Sequence, residues 1–305
     1  MAGRSKYYQP RDMDPFSEEA LRAANPAFGI FQNAEETRAS ADDARRMPPR
    51  QAEFENLILN RRIETQSPFI AKAIWDENAD APDIIDGAEI VGGLDLSEVA
   101  DLTAFAAVFR APGSKDKRWS VRPTFWLPAD GLDEKTRKEK VPYDLWARQG
   151  HLEAVPGRVV DHDFVAGFLW DLSQRCVIKK IAFDRYNFRH LQKSLLDAGF
   201  SDRFIDEHFV PFGQGYKSMS PALRTLETML LQNDLKHGNH PLLTICLANS
   251  VVMKDPAGNR KLVKGTDTRK IDGAVALAMA VGTLQEAGAE APASSYLEEE
   301  DLLVL

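Results

Sequence analysis

Three aspartates stand where surface chemistry explains an acid least well. Asp95 closes the apolar run "AEIVGGLD", Asp184 closes "KKIAFD", and Asp272 opens "DGAVALAMA" directly after "RKI". Each follows an apolar residue and marks a junction between elements. A buried carboxylate without a partner is costly. Taken singly, Asp184 also reads as a turn residue, and Asp272 as a first-turn acid favoured by the helix dipole. Asp95 is harder to assign that way, because Leu94 and Leu96 flank it before any turn signal. If one fold gathers all three, they repel one another unless a cation lies between them. Hard divalent ions prefer oxygen ligands, and Mg2+ takes one or two carboxylates plus waters and substrate phosphate. Two such ions about 3.5–4 Å apart clamp the attacking and leaving oxygens of a phosphodiester. The acids therefore point to metal-assisted phosphoryl chemistry, with Asp95 bridging the ions and Asp101 as a further candidate ligand of the second.

Other polar groups compete for attention. His237 and His240, in "KHGNHP", have a ligand-like spacing but no partner Cys or His pairs, so they read as structural or solvated. Asp161 and Asp163 precede a helical pattern and read as caps. "FGQGYKS" (212–218) lacks the spacing of a nucleotide-binding phosphate loop and reads as a Gly-rich turn between strand and helix, with a contact to a nucleic-acid backbone as the bolder alternative. The net charge of −8 counts mildly against nucleic-acid binding, but the charge is uneven. Residues 110–122 carry five basic residues and one acid, and residues 254–270 carry six basic residues and two acids. Such loops on an acidic body suit a DNA-binding face, solvated loops being the plain alternative.

These residues need elements to position them. With 305 residues, 44% hydrophobic and 28% charged, the composition is that of an ordinary globular protein with a sizeable core. No apolar run approaches the roughly 18 residues of a membrane span, and the N-terminus has no apolar signal core. Cys176 and Cys246 lie in apolar contexts and read as buried thiols in a reducing compartment. Residues 1–87 read as an arm or linker, polar and weakly periodic, with a helix capped by Ser17 and a second helix after Pro49. Residues 88–288 carry the folded domain, and residues 289–305 an acidic, disordered tail. Within the domain, "AEIVGGLDLS", "TAFAAVFRAP" and "RWSVRPTFWLPA" read as three successive strands, the last two joined as a hairpin around Gly113. "HDFVAGFLWDLSQRCVI" (162–178) has apolar residues at helical spacing, "KKIAFDRYN" (179–187) reads as a short strand, and a helix ending near Gly199 follows. "FIDEHFVPFGQG" reads as a strand, "SPALRTLETMLLQNDLKHG" as a helix with Pro221 at its start and Gly238 at its end, and "HPLLTICLANSVVMKD" is ambiguous. A small-residue helix from Asp272 closes the domain. Three antiparallel strands leading into parallel crossovers, flanked by helices, is the order of a ribonuclease H-like α/β mixed sheet. In it the first and fourth strands are central neighbours.

The stretches "GGLDLSEVADLTAFAAVF", "IAFDRYNF", "VPFGQGYKSMSPALRTLE" and "LKHGNHPLL" with "ANSVVMKDPAGNRKLVKGTDTRKIDGAVALAMAVG" together resemble the C-terminal nuclease domain of the large terminase subunit of tailed bacteriophages. The resemblance covers roughly 88–285. The preceding segments "DPFSEEALRAANPAFGI" and "FENLILNRRIETQSPFIAKAIWDE" are similar to the part joining motor to nuclease. The resemblance implies a ribonuclease H/RuvC-like fold and a two-metal endonuclease that cuts concatemeric viral DNA during packaging. It puts the family's acids on Asp95, Asp184 and Asp272, and implies two Mg2+ or Mn2+ ions, with Asp184 and Asp272 each binding one. It also implies double-stranded DNA, the small subunit, the portal and the ATPase motor as partners, in the host bacterial cytoplasm. Arg110, Lys115, Lys117, Arg118, Lys217, Lys261 and Lys264 are the expected DNA contacts. Walker motifs of the motor have no match here, so the chain reads as an isolated nuclease domain, a split subunit or a prophage remnant. Three rivals stay open: a docking module of the packaging motor with weak catalysis, a RuvC-like junction resolvase, and an actin-like ATPase or sugar kinase suggested by "GLDLS".

Overall fold

The computed structural model describes residues 13–31, 33–46, 54, 58–59, 67–96, 101–184, 188–265 and 269–284. The chain divides into two units, Met1–Thr65 and Gln66–Leu305. In the first, helix α1 (Glu18–Ala24) is capped by the Ser17 hydroxyl, which accepts from Ala20 N at 3.2 Å. Helix α2 (Ala34–Arg46) was not expected. It buries only Thr37, Ala41 and Ala44, a helical face too small-sided to register as hydrophobic periodicity. These helices share a small core with Phe28, Phe54 and Leu59. Most of the helix expected after Pro49, and the whole acidic tail, lie outside the described residues.

The boundary falls earlier than the expected 87/88 for a physical reason. Strand β1 (Ser67–Pro68) and helix α3 (Lys72–Glu77) are bonded into the second unit. Trp75 stacks on His237 with centroids 3.6 Å apart, and the Asn78 side chain donates to Leu230 O and accepts from Leu235 N.

The second unit then runs β2 (Glu89–Asp95), β3 (Thr103–Arg110), β4 (Trp119–Pro128), α4 (Leu132–Glu139), α5 (Tyr143–Arg148), β5 (Glu153–Val155), α6 (His162–Arg175), β6 (Val177–Asp184), α7 (Phe188–Ala198), α8 (Asp202–His208), β7 (Phe209–Phe212), α9 (Tyr216–Leu231), β8 (Leu235–Lys236), α10 (Pro241–Asn249), β9 (Ser250–Lys254), β10 (Arg260–Lys264) and α11 (Asp272–Thr283). The main sheet has the order β5-β4-β3-β2-β6-β7, with β8 also beside β4. The β2–β3–β4 meander is antiparallel, while β6 is parallel to β2 and β7 to β6. This is the expected ribonuclease H-like mixed sheet. A second, small antiparallel sheet has the order β1-β9-β10.

The centre of the fold is a close approach between β2 and α11. Gly92 and Gly93 give β2 no side chains where the Phe105 ring and the α11 backbone arrive. A Cβ on Gly93 would collide with Ala276 O and lie 2.7 Å from Ala280 N. Glycine inside a strand often marks such an approach. Helix α11 is apolar on all sides and buried along nearly its whole length, packed on β2 and β3 and against α9.

Three local expectations are corrected. Residues 202–208 are helical, capped by Ser201, and only Phe209–Phe212 of the expected strand is extended. Pro221 lies inside α9, which begins at Tyr216, and Gly238 lies beyond β8 and not at the helix end. The ambiguous stretch after Gly238 resolves into α10 and a β9–β10 hairpin, whose turn is held by Asp255 accepting from the backbone of Ala257 and Asn259.

Candidate metal centre

Asp95 ends β2 and Asp184 ends β6. These strands are parallel neighbours, with Leu94 beside Phe183 in register, so the following residue of each strand is an acid at the same sheet end. Asp272 is the first residue of α11, and the Gly93 contact brings that helix across β2. Helix α11 and strands β2 and β6 thus bring the three acids to one end of the sheet.

The electrostatics follow from that meeting. Burial, then the charges of Asp272 and Asp184, push the Asp95 carboxyl well above the ordinary carboxylate range, against the opposing effects of a Gln214 hydrogen bond and the Lys264 charge. Burial, then the charge of Asp101, pushes Asp272 up to about 6, with Lys264 and Lys270 opposing. Asp272 Oδ2 is buried and accepts no hydrogen bond from the described residues. Among the described residues neither Asp95 nor Asp272 forms an ion pair with lysine or arginine. An orphaned buried carboxylate oxygen beside other acids is the donor set a hard divalent cation suits. Among the described residues no group of three His, Cys, Asp or Glu side chains stands arranged to hold a metal ion. Mg2+ needs only one or two protein carboxylates, water and phosphate supplying the rest. Residues 97–100, 185–187 and 266–268, which adjoin the acids, lie outside the described set.

Asp101, the further candidate ligand, already has an ammonium partner. Lys270 Nζ is bonded to Asp101 Oδ1, Lys135 Nζ lies 3.8 Å away, and Leu102 N donates to the same oxygen at 2.8 Å. Burial opposes its charge, yet Lys270 holds its carboxyl below the ordinary range. Lys270 also lies 3.7 Å from Glu139, which accepts from the Tyr143 hydroxyl. An ion reaching Oδ1 of Asp101 would have to displace that ammonium.

The expected DNA contacts separate into two groups. Arg110 pairs with Glu89 across the β2–β3 ladder, whereas Asp95 pairs with Ala104. Arg110 and the hairpin after it therefore lie about 20 Å of strand from the acids. There Arg110 covers the Trp119 ring at 4.1 Å, and Arg118 pairs with Asp116 and Asp80. The antiparallel register thus carries Arg110, Lys115, Lys117 and Arg118 to the sheet end away from the acids. Lys264 acts electrostatically on both Asp95 and Asp272, Lys261 lies 5.0 Å from the Tyr216 ring, and Lys217 is exposed in the first turn of α9. Of these three, Lys264 is placed at the acids by its charge on both.

The two histidines are structural, as read. His237 Nε2 lies 2.8 Å from Trp75 O, and His240 accepts from Leu243 N at the start of α10. Burial lowers both to about 4, so they are neutral at pH 7. A cavity of about 370 Å3 opens beside β4, between Arg122, His151 and Phe168, and none of the acids lines it.

Sequence reading missed Gln214, whose Nε2 donates to Asp95 Oδ1 at 2.8 Å. A signal existed. Gln214 follows strand β7, and ligand crevices in open α/β sheets lie outside the carboxyl ends of the strands.

This geometry defines a ribonuclease H-like domain with an acidic centre at the carboxyl ends of β2 and β6. Residues 6–288 match the model of the terminase large subunit, endonuclease domain, and the chain belongs to that family. It is 40% identical over 276 residues to the large terminase subunit of Enterobacteria phage HK97, over 90% of this chain and 53% of that protein. The crystal structure of the HK97 large terminase matches with a TM-score of 0.68, covering 91% of this chain and 56% of that one. Protein YmfN of Escherichia coli (strain K12) is 25% identical over 291 residues, 92% of this chain and 62% of that protein. The chain spans about half the length of the HK97 relative.

Proposed function

We propose that this chain is a divalent-metal-dependent endodeoxyribonuclease that cuts concatemeric viral DNA during genome packaging. The carrying observation is the meeting of Asp95, Asp184 and Asp272 at one sheet end, with Asp272 Oδ2 buried and unpartnered among the described residues. In this reading Asp95, with Asp184 and Asp272, would hold two Mg2+ or Mn2+ ions. Ions held there would supply a nucleophile at neutral pH and neutralise charge on the leaving oxygen. The chain's own residues do the rest. The carboxylates fix where the scissile phosphate docks, and Lys217, Lys261 and Lys264 bind the flanking phosphates. Phosphate contacts carry no sequence information, so the chain cuts duplex DNA with little sequence preference. Family membership supports the further partners: the small subunit, the portal and the ATPase motor, in the host bacterial cytoplasm.

Plasmid cleavage tests this. Supercoiled DNA is nicked and linearised with Mg2+ or Mn2+ and left intact in EDTA. Asp95→Ala lowers the rate by about 100-fold or more, as losing a metal-holding group does. Wild-type rates in that variant overturn the assignment, and preference for four-way junctions over linear duplex replaces it with a resolvase.

A further inference from the structure

Gln214 does more than fill a turn. It lies in the loop between β7 and α9, and β7 is separated from β2 by β6. Two strand spacings are about 10 Å, so the side chain reaches past the end of β6, where Asp184 stands in register with Phe212, to meet Asp95 Oδ1 at 2.8 Å. A half-buried carboxylate between two other acids needs a donor to hold one orientation. A lysine there would compete with any cation for the same oxygen. A neutral amide donates one hydrogen bond to Oδ1, adds no positive charge, and leaves Oδ2 for another partner.

We infer that Gln214 is a positioning residue, holding the Asp95 carboxylate in its cation-binding orientation before the ion arrives. The inference rests on the reading of Asp95 as a metal-holding residue. Outer partners that orient ligands typically contribute 10–100-fold in metal affinity.

The test measures Mn2+ binding without DNA. Free Mn2+ is followed by electron paramagnetic resonance in titrations of the 305-residue chain, as wild type, Gln214→Met, Gln214→Ala and Asp95→Ala. Methionine keeps the length and removes the donor, so a folded variant is secured even if alanine loosens the loop. The melting temperature in EDTA is read alongside. The expected result is a roughly tenfold rise in Mn2+ Kd for both Gln214 variants, with the melting temperature in EDTA near wild type. A lowered melting temperature with unchanged Kd makes Gln214 merely structural and overturns the inference. Unchanged Kd in both variants while Asp95→Ala loses binding also overturns it and leaves the metal reading standing. A wild type that takes up no Mn2+, or an Asp95→Ala chain that binds as tightly, sinks the metal reading and the inference together.

Discussion

At the scale of single residues, the candidate centre is a set of groups that destabilise the metal-free protein. An unfolded aspartate titrates near 3.9, whereas the folded Asp272 carboxyl is pushed up to about 6 by burial and by Asp101. The folded state then binds its proton more tightly than the unfolded state does. Stability therefore rises as pH falls through 6 toward 4, and is lost as pH rises through that window. A rise of that size is worth about 3 kcal/mol at most. In EDTA, the melting temperature should be higher at pH 5.5 than at pH 7.5. Asp272→Asn should flatten the dependence and stabilise the metal-free chain at pH 7.5 by about 1–3 kcal/mol. Mn2+ should reverse the trend in the wild type, because ions and protons compete for the same carboxylates. Thermal unfolding across that pH range, with and without Mn2+, checks all three outcomes.

At the scale of elements, everything depends on α11 lying directly on β2. Gly93→Ala puts a methyl group into the backbone of Ala276 and Ala280. The helix must shift, at a cost of about 2–3 kcal/mol or more, and it carries Asp272 away from Asp95. A melting temperature within about 1–2 °C of wild type would contradict that packing. The same elements show what was legible beforehand. Strands β2, β3, β4 and β6 announced themselves as apolar runs bounded by polar punctuation, and the acids were visible because each terminates or opens such a run. Helix α8 was not legible, because "FIDEHFVPF" carries strand-favouring residues in both its helical and extended halves, and only the Ser201 cap separates them. Pro221 pointed to a late helix start, although α9 accommodates it in its second turn. The β9–β10 hairpin hid behind basic residues that read as a solvated loop. The place of Gln214 at a strand end was a signal, but its bond to Asp95, like the Lys270–Asp101 pair, was invisible for a different reason. Their partners are far away in sequence, and no local pattern encodes the reach of a side chain across two strands.

For the molecule as a whole, a net charge of −8 sets a problem for the proposed cleavage of DNA. Phosphate binding is driven by counterion release and needs local cations, whatever the total charge. Composition alone pointed to both basic stretches, but the β2–β3 ladder carries the first away from the acids. Arg110 sits opposite Glu89, and Asp95 opposite Ala104. In the second stretch Lys264 acts on both Asp95 and Asp272, and in the proposed reading Lys217 and Lys261 bind the same DNA. The two sets should therefore behave differently in DNA binding measured by fluorescence anisotropy across a salt series. Lys217→Ala and Lys261→Ala should each weaken duplex binding and reduce the slope of log K against log salt by about one. Lys115→Ala and Lys117→Ala should leave both quantities near wild type. If the far-end pair lowers the slope as much as the near-end pair, the duplex lies along the hairpin between β3 and β4 rather than over the acids. The assignment of Asp95 and Asp272 to phosphodiester chemistry then loses its substrate.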